Sequence, residues 1–168
     1  MERPDVDPLE VPVLDRLTEL GIVFDRHVHP PVATVEAAIA HWTDIDAMHF
    51  KNLFLRNQKG DRHYLVVVEH AKPVDLKRLA EQIGDGKLSF ASPERLQKYL
   101  GLTPGSVTPF GLINDPQHQV RVFLDAEIQQ APRVSFHPNI NTATLVLSSS
   151  DLRRFLDASD HVVRYITF

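Results

Sequence analysis

Phe50-Lys51-Asn52-Leu53-Phe54-Leu55-Arg56-Asn57 is followed by Gln58-Lys59-Gly60-Asp61 and then by a second apolar run over residues 62–69. Two strand-like runs around a polar, glycine-containing tetrad predict a β-hairpin with strands at about 49–56 and 62–69. Lys51 is the anomaly in this stretch. An ammonium entering an apolar strand either snorkels to water at a sheet edge or faces a functional cavity. There its three donors and point charge would hold an anionic or carbonyl group. The residues of the strand leave both readings open.

Working outward, helices and strands alternate. Leu9, Val13, Leu14, Leu17 and Leu20 recur at helical spacing and stop at Gly21. A strand is predicted over Ile22–His29, broken by Pro30-Pro31, and Thr34 caps a short helix through Trp42. On the other side of the hairpin, Asp75 caps a helix ended by Gly84, and Ser92 with Pro93 opens another running to Gly101. Strands at about 120–125, 133–137 and 142–148, a helix over Ser150–Ala158 and a final strand to Phe168 complete the pattern. Some strands are joined by hairpins and others by helices. That mixture predicts a mixed α/β fold: a single domain with a mixed, mostly antiparallel sheet flanked by helices. An acidic lead and N-terminal helix over residues 1–20 precede the main domain, 20–168.

Composition narrows the class. The chain has 168 residues, enough for one domain with its own core. Its 43% hydrophobic and 24% charged residues are ordinary for a globular protein. No apolar run approaches the roughly 18 residues of a membrane span. The first ten residues do not read as a secretory signal. With no cysteine, disulfides, thiol nucleophiles and thiolate metal sites are excluded, which fits a cytoplasmic protein.

The net charge of −4 is unevenly spread. Residues 1–50 carry three cations against ten anions, residues 51–100 ten against six, and residues 101–168 five against six. The middle is the basic part. If a nucleic acid binds, Lys72, Lys77, Arg78, Lys87, Arg95 and Lys98 are the candidate phosphate contacts; otherwise they are solvated helix faces.

Gly105-Ser106-Val107-Thr108-Pro109 joins a flexible start to a rigid end. Such a loop can aim backbone N–H groups at a carbonyl or phosphate oxygen, or simply connect a helix to a strand. His137-Pro138-Asn139-Ile140-Asn141-Thr142 sets an imidazole and two amides around a proline turn. These groups either converge on a small ligand or satisfy the turn itself. His27 and His29 share one strand face, yet no HExxH-type third ligand accompanies them, so no metal is expected. There is no G-x-S-x-G and no glycine-rich phosphate loop, and Ser148-Ser149-Ser150 before Asp151 reads as helix capping.

The order of three segments along the chain is distinctive. Phe50 to Leu55, Gly105 to Leu112 and His137 to Thr144 together resemble the YbaK and prolyl-tRNA synthetase-associated editing domain family, over roughly residues 20–168. Within it the chain is most similar to the free-standing ProX type, the alanyl-tRNA(Pro) deacylases. On that resemblance Lys51 matches the family's functional lysine. Gly105 and Pro109 match its G-x-x-x-P loop, and His137 and Asn141 its H-P-x-x-N turn. Phe50 departs from the smaller residues common at its place.

The resemblance implies hydrolysis, in trans, of the ester joining alanine to tRNA(Pro), with no cofactor. A synthetase pocket sized for proline cannot strongly exclude a smaller apolar side chain, so a second site removes it. An aminoacyl ester is already activated and needs a placed water and a stabilised oxyanion. Lys51 is then expected to anchor the terminal adenosine or its phosphate. Backbone N–H groups of the Gly105 loop, with Ser106, Val107, Thr108 and Pro109 around the substrate, would hold the ester carbonyl. The ribose 2′-hydroxyl would assist the water, and His137 and Asn141 would order it or shape the pocket. Val28, Pro31 and Val32 are the expected amino-acid pocket, and Lys77, Arg78 and Lys87 the expected acceptor-stem contacts. The expected partners are the acceptor end of mischarged tRNA(Pro) and, more remotely, prolyl-tRNA synthetase; the protein itself is expected to be monomeric. The competing readings are a non-catalytic tRNA- or amino-acid-sensing module of the same fold, a deacylase for serine, cysteine or 2-aminobutyrate, and a metal-dependent hydrolase built on His27 and His29.

Overall fold

β2 (Met48–Asn57) organises the molecule, because it is long enough to be shared by two sets of neighbours. Its first residues pair in parallel with β6, through Met48–Val134 and His49–Ser135. Its whole inner length pairs antiparallel with β3 (His63–Glu69), from Phe50–Glu69 to Arg56–His63. Its last three residues, Leu55 to Asn57, pair with the short β4 (Leu88–Phe90). Residues 50–53 are therefore flanked by strands on one side and open on the other.

The computed structural model describes residues 5–168. In chain order the remaining strands are β1 (Asp25–Val28), β5 (Val120–Asp125), β6 (Arg133–Phe136), β7 (Ala143–Ser148) and β8 (Val163–Ile166). The eight strands form a sheet of order β1-β7-β6-β2-β3-β5-β8, with β4 beside β2. Four pairings are antiparallel and three parallel. This is the mixed, mostly antiparallel sheet that the alternation of hairpins and helical connections predicts.

The residues explain the layers. β3 is buried along six successive positions, as a central strand covered on both faces must be. On one face Phe50, Phe54, Leu65 and Val67 pack with α1 (Val11–Glu19), α4 (Pro93–Leu100) and α5 (Ser149–Ser159), through Leu17, Leu96 and Phe155. On the other face Leu55, Tyr64, Val66 and Val68 pack with Leu79 and Ala80 of α3 (Leu76–Ile83). Each such fully buried side chain contributes roughly 1.5–3 kcal/mol. The helix ends follow the expected capping. Thr34 accepts from Ala37 N before α2 (Val35–Trp42), Asp75 from Lys77 N and Arg78 N, and Ser92 from Arg95 N. Gly84 and Gly101 close their helices in the left-handed region.

The start of β1 differs from expectation. β1 begins at Asp25 rather than Ile22, because Ile22 N bonds back to Leu17 O across the Gly21 turn and its side chain is committed to the α1 core. The N-terminal lead is described only from Asp5 onward; there Glu10 is fully buried and pairs with Arg26.

Candidate active site

The open side of β2 is the floor of a cleft of about 260 Å³. Phe50, Lys51, Asn52 and Leu53 form that floor. The chain from Val32 to Val35 with Ala38 and Trp42 of α2 forms one wall, and Gly105, Val107 and His137 form the other. The structure thus brings the three sequence segments of interest, 50–55, 105–112 and 137–144, to one place. A larger cleft of about 460 Å³ lies between α1 and α5, beside Asp115 and His161, and contains none of the expected site residues.

Lys51 faces the same side of the sheet as its cross-strand partner Val68, the side covered by α3. Its half-buried ammonium donates to the backbone carbonyl of Lys72. That carbonyl has no formal charge, and among the described residues no carboxylate pairs with Lys51. The carbonyl is held still from outside the cleft: the Lys72 ammonium lies 2.8 Å from Asp125 Oδ2 and 3.3 Å from Glu127 Oε1. Burial opposes the charge on Lys72, but its bonds to Asp125 and Glu127 outweigh that and raise its pKa. Lys72 is therefore spent within the protein, whereas the Lys51 ammonium has two further donors beyond its bond to Lys72 O.

Gly105 has φ +86°, and a Cβ placed there would lie 3.3 Å from Ala33 Cα. Both the conformation and the close approach of two chain segments require glycine. In the loop that follows, Ser106 N bonds to Thr103 O, and the buried Thr108 accepts from Phe110 N to cap the 3₁₀ segment Pro109–Asn114. Ser106, Thr108 and Pro109 thus build the loop, and only Gly105 and Val107 face the cleft. The N–H groups of these two donate to no acceptor among the described residues.

His137 Nδ1 lies 2.8 Å from Ala143 O. A carbonyl only accepts, so Nδ1 carries the proton. Burial, only partly offset by the Ala143 bond and aided by the nearby His29, lowers the pKa of this imidazole. The ring is neutral near pH 7, with the Nε2 lone pair uncommitted. The His29 ring centroid lies 5.8 Å from that of His137, and His29 Nε2 is 2.8 Å from Thr144 Oγ1.

Other expected residues fall elsewhere. Asn141 acts through its backbone: its carbonyl accepts from Val32 N at 3.2 Å and fixes the wall that Val32 provides. Its amide lies behind Gly105, 3.6 Å from the position a Cβ would take. Val28 is 69% exposed on the edge strand β1, and Pro31 is exposed at the turn after it; neither lines the cleft. The chain reverses at Pro30-Pro31 and returns to the cleft only at Val32, so the apolar wall is Val32, Val35, Ala38 and Trp42. Lys77 and Arg78 are exposed on α3 and Lys87 on the turn before β4, outside the cleft but on the α3 side to which Lys51 points. Among the described residues, no group of three or more His, Asp or Glu side chains is placed to hold a metal ion.

Two contributors were not anticipated. Asn52 Oδ1 is buried without a hydrogen-bond partner. It follows Phe50 and precedes Phe54 on the core-facing alternation, and an amide among those aromatics was the available signal. Trp42 closes the far end of the cleft, its ring stacked on His49 at 4.5 Å and 4°.

Residues 29–155 match the family model of the aminoacyl-tRNA editing domain. The chain is 44% identical to the prolyl-tRNA editing protein ProX of Acetoanaerobium sticklandii, across 92% of this chain and 94% of that protein. It is 34% identical to the prolyl-tRNA synthetase associated domain-containing protein 1 of Danio rerio, across 90% and 83%. A crystal structure described as a candidate trans-editing enzyme for prolyl-tRNA synthetase superposes with a TM-score of 0.74 at 22% identity, covering 98% of this chain and 99% of that one. The chain thus belongs to the aminoacyl-tRNA editing domain family.

Proposed function

We propose that this protein hydrolyses, in trans, the ester linking alanine to the 3′ end of tRNA(Pro). The observation that carries the reading is the meeting in one cleft of Lys51, whose ammonium pairs with no carboxylate among the described residues, the Gly105 loop and a neutral His137. The name of the Acetoanaerobium sticklandii relative supports tRNA as the substrate class.

The chemistry follows from the groups present. Lys51 meets the terminal adenosine or its phosphate with the donors that Lys72 O leaves free. The N–H groups of Gly105 and Val107 receive the ester carbonyl oxygen as it gains charge. A water attacks the carbonyl carbon, the C–O bond to the ribose breaks, and the departing ribose oxygen takes up a proton. His137 Nε2 accepts from that water and orients it, and the ribose 2′-hydroxyl assists. No protein nucleophile is required, because the ester is activated from the start.

Selection acts at two places. Val32, Val35, Ala38 and Trp42, the apolar wall of the cleft, would receive the methyl side chain, and the larger proline ring would be refused by size. The exposed cations of α3 and the following turn, Lys77, Arg78 and Lys87, attract the RNA from a distance.

A deacylation panel tests the reading: alanine, serine and proline on tRNA(Pro), and alanine on tRNA(Ala), each with and without the protein. Fast release of alanine from tRNA(Pro), with prolyl-tRNA(Pro) spared, is the expected result. Binding without acceleration of any release would identify a sensing module instead.

A further inference from the structure

The tip of the β2–β3 hairpin holds two guanidiniums against one glycine. A Cβ added to Gly60, which has φ +72°, would lie 3.0 Å from Arg95 Nη2 and 3.2 Å from Arg56 Nη1, so the two heads are neighbours. Arg95 Nη1 donates to Gly60 O at 3.0 Å and approaches His63 Nε2 at 3.0 Å, which fixes its position. The Arg56 side chain has no hydrogen bond or ion pair among the described residues. Lys59 and Lys98 are exposed nearby. The neighbouring acid, Asp61, takes a bond from Asn57 Nδ2 at 2.7 Å instead of from either arginine.

Like charges held side by side without a carboxylate repel one another, and a bound anion would reverse the sign of that interaction. His63 supports this independently. It is 2% exposed and stacked on Phe54, and its pKa is driven to about 4 by burial and then by Arg95, Arg56 and Lys98. The imidazole therefore adds no positive charge at neutral pH; it accepts from Arg95 and holds the guanidinium in place.

We infer that Arg56 and Arg95, converging on Gly60, form a phosphate-binding site for the RNA acceptor arm. Planar guanidiniums suit phosphate oxygens, which they engage in pairs. The identity of the ligand as RNA rests on the proposed function. Lys51 and Arg56 lie on one strand five residues apart, roughly 17 Å at the usual rise. The phosphate at the hairpin tip therefore belongs to nucleotides inward of the terminal adenosine. This site differs from the α3 cations: Arg56 pairs with His63 on the face opposite Lys51, and its two guanidiniums are convergent rather than scattered.

The test is binding of an uncharged tRNA(Pro) transcript over a salt series, for the wild type and for Arg56→Gln, Arg56→Gln/Lys98→Gln and Arg95→Lys. Among the described residues the side chains of Arg56 and Lys98 make no hydrogen bond, and that of Lys98 meets only the Tyr99 ring at 5.2 Å, so the first two variants should keep a melting temperature close to wild type. The expected result for Arg56→Gln is about fivefold weaker binding and a log–log salt slope reduced by about one, with the double variant lower still. Arg95→Lys keeps the charge but loses the paired geometry, and should weaken binding with little change in slope. Unchanged affinity and slope in the first two variants, or no binding by the wild type, overturns the site. Binding that behaves as expected in a protein that releases no alanine would sink the hydrolase reading and leave this one standing.

Discussion

Lys51 donates to the backbone carbonyl of Lys72, while the Lys72 ammonium is itself pinned by Asp125 and Glu127. One lysine is neutralised so that the other is positioned but not neutralised. Asp125 is 1% exposed and also accepts from Glu69 N and Glu127 N, each at 3.1 Å. Asp125→Ala should therefore cost about 2–3 kcal/mol in urea denaturation. It should also lower deacylation beyond any loss of folded protein, because the carbonyl that orients Lys51 loses its anchor.

Asn52 carries a buried, unpartnered carbonyl oxygen beside the cleft on the open side of β2. A buried polar group left unsatisfied costs on the order of 1–3 kcal/mol, so if a rearrangement on substrate binding gives Asn52 Oδ1 a partner, that cost is recovered in the complex. Asn52→Leu, close in shape, should melt at the same temperature or higher and lose at least tenfold in kcat/KM. Calorimetry and deacylation on one preparation check both halves; full activity would assign Asn52 no role.

The lowered pKa of His137 fixes a sign. The folded state binds this proton less readily than the unfolded chain, whose histidine titrates near 6.5. Its contribution to stability is complete above that value and is lost as pH falls below it. The same neutral form presents Nε2 to the water. The kcat/KM profile should be flat above about pH 6.5 and fall through an inflection below it. His137→Gln should remove the inflection and lower the plateau.

Gly105 is held at φ +86° against Ala33. Gly105→Ala adds a methyl that Ala33 must yield to and a conformational cost of about 1–2 kcal/mol. Because the movement opens the cleft wall, kcat/KM should fall more than tenfold while thermal unfolding remains cooperative.

Much of this architecture was legible in the chain. Thr34, Asp75, Ser92, Gly84 and Gly101 mark helix ends through local hydrogen bonds, which short sequence windows report well. The β2–β3 hairpin is likewise local. β4 was not legible, because three residues after Lys87 become a strand only by pairing with Leu55 to Asn57. That Lys51, Gly105 and His137 line one cleft was legible through a resemblance that follows chain order. Val28 and Pro31 were misplaced because the reversal at Pro30-Pro31 decides which side chain returns to the cleft, and spacing along a strand does not encode it. Asn52 becomes visible only when burial and a missing partner are known, and the Arg56–Arg95 pair only when their convergence on Gly60 is known.

The central claim is that the Lys51 ammonium, which pairs with no carboxylate among the described residues, is what engages the RNA end. Single-turnover hydrolysis of alanyl-tRNA(Pro) by the wild type and Lys51→Ala, with melting curves of both, tests it most directly. The account predicts a loss of two to three orders of magnitude in rate, on the order expected for removal of a positioned charge contact, with the melting temperature little changed. A Lys51→Ala protein that deacylates at near the wild-type rate would contradict it.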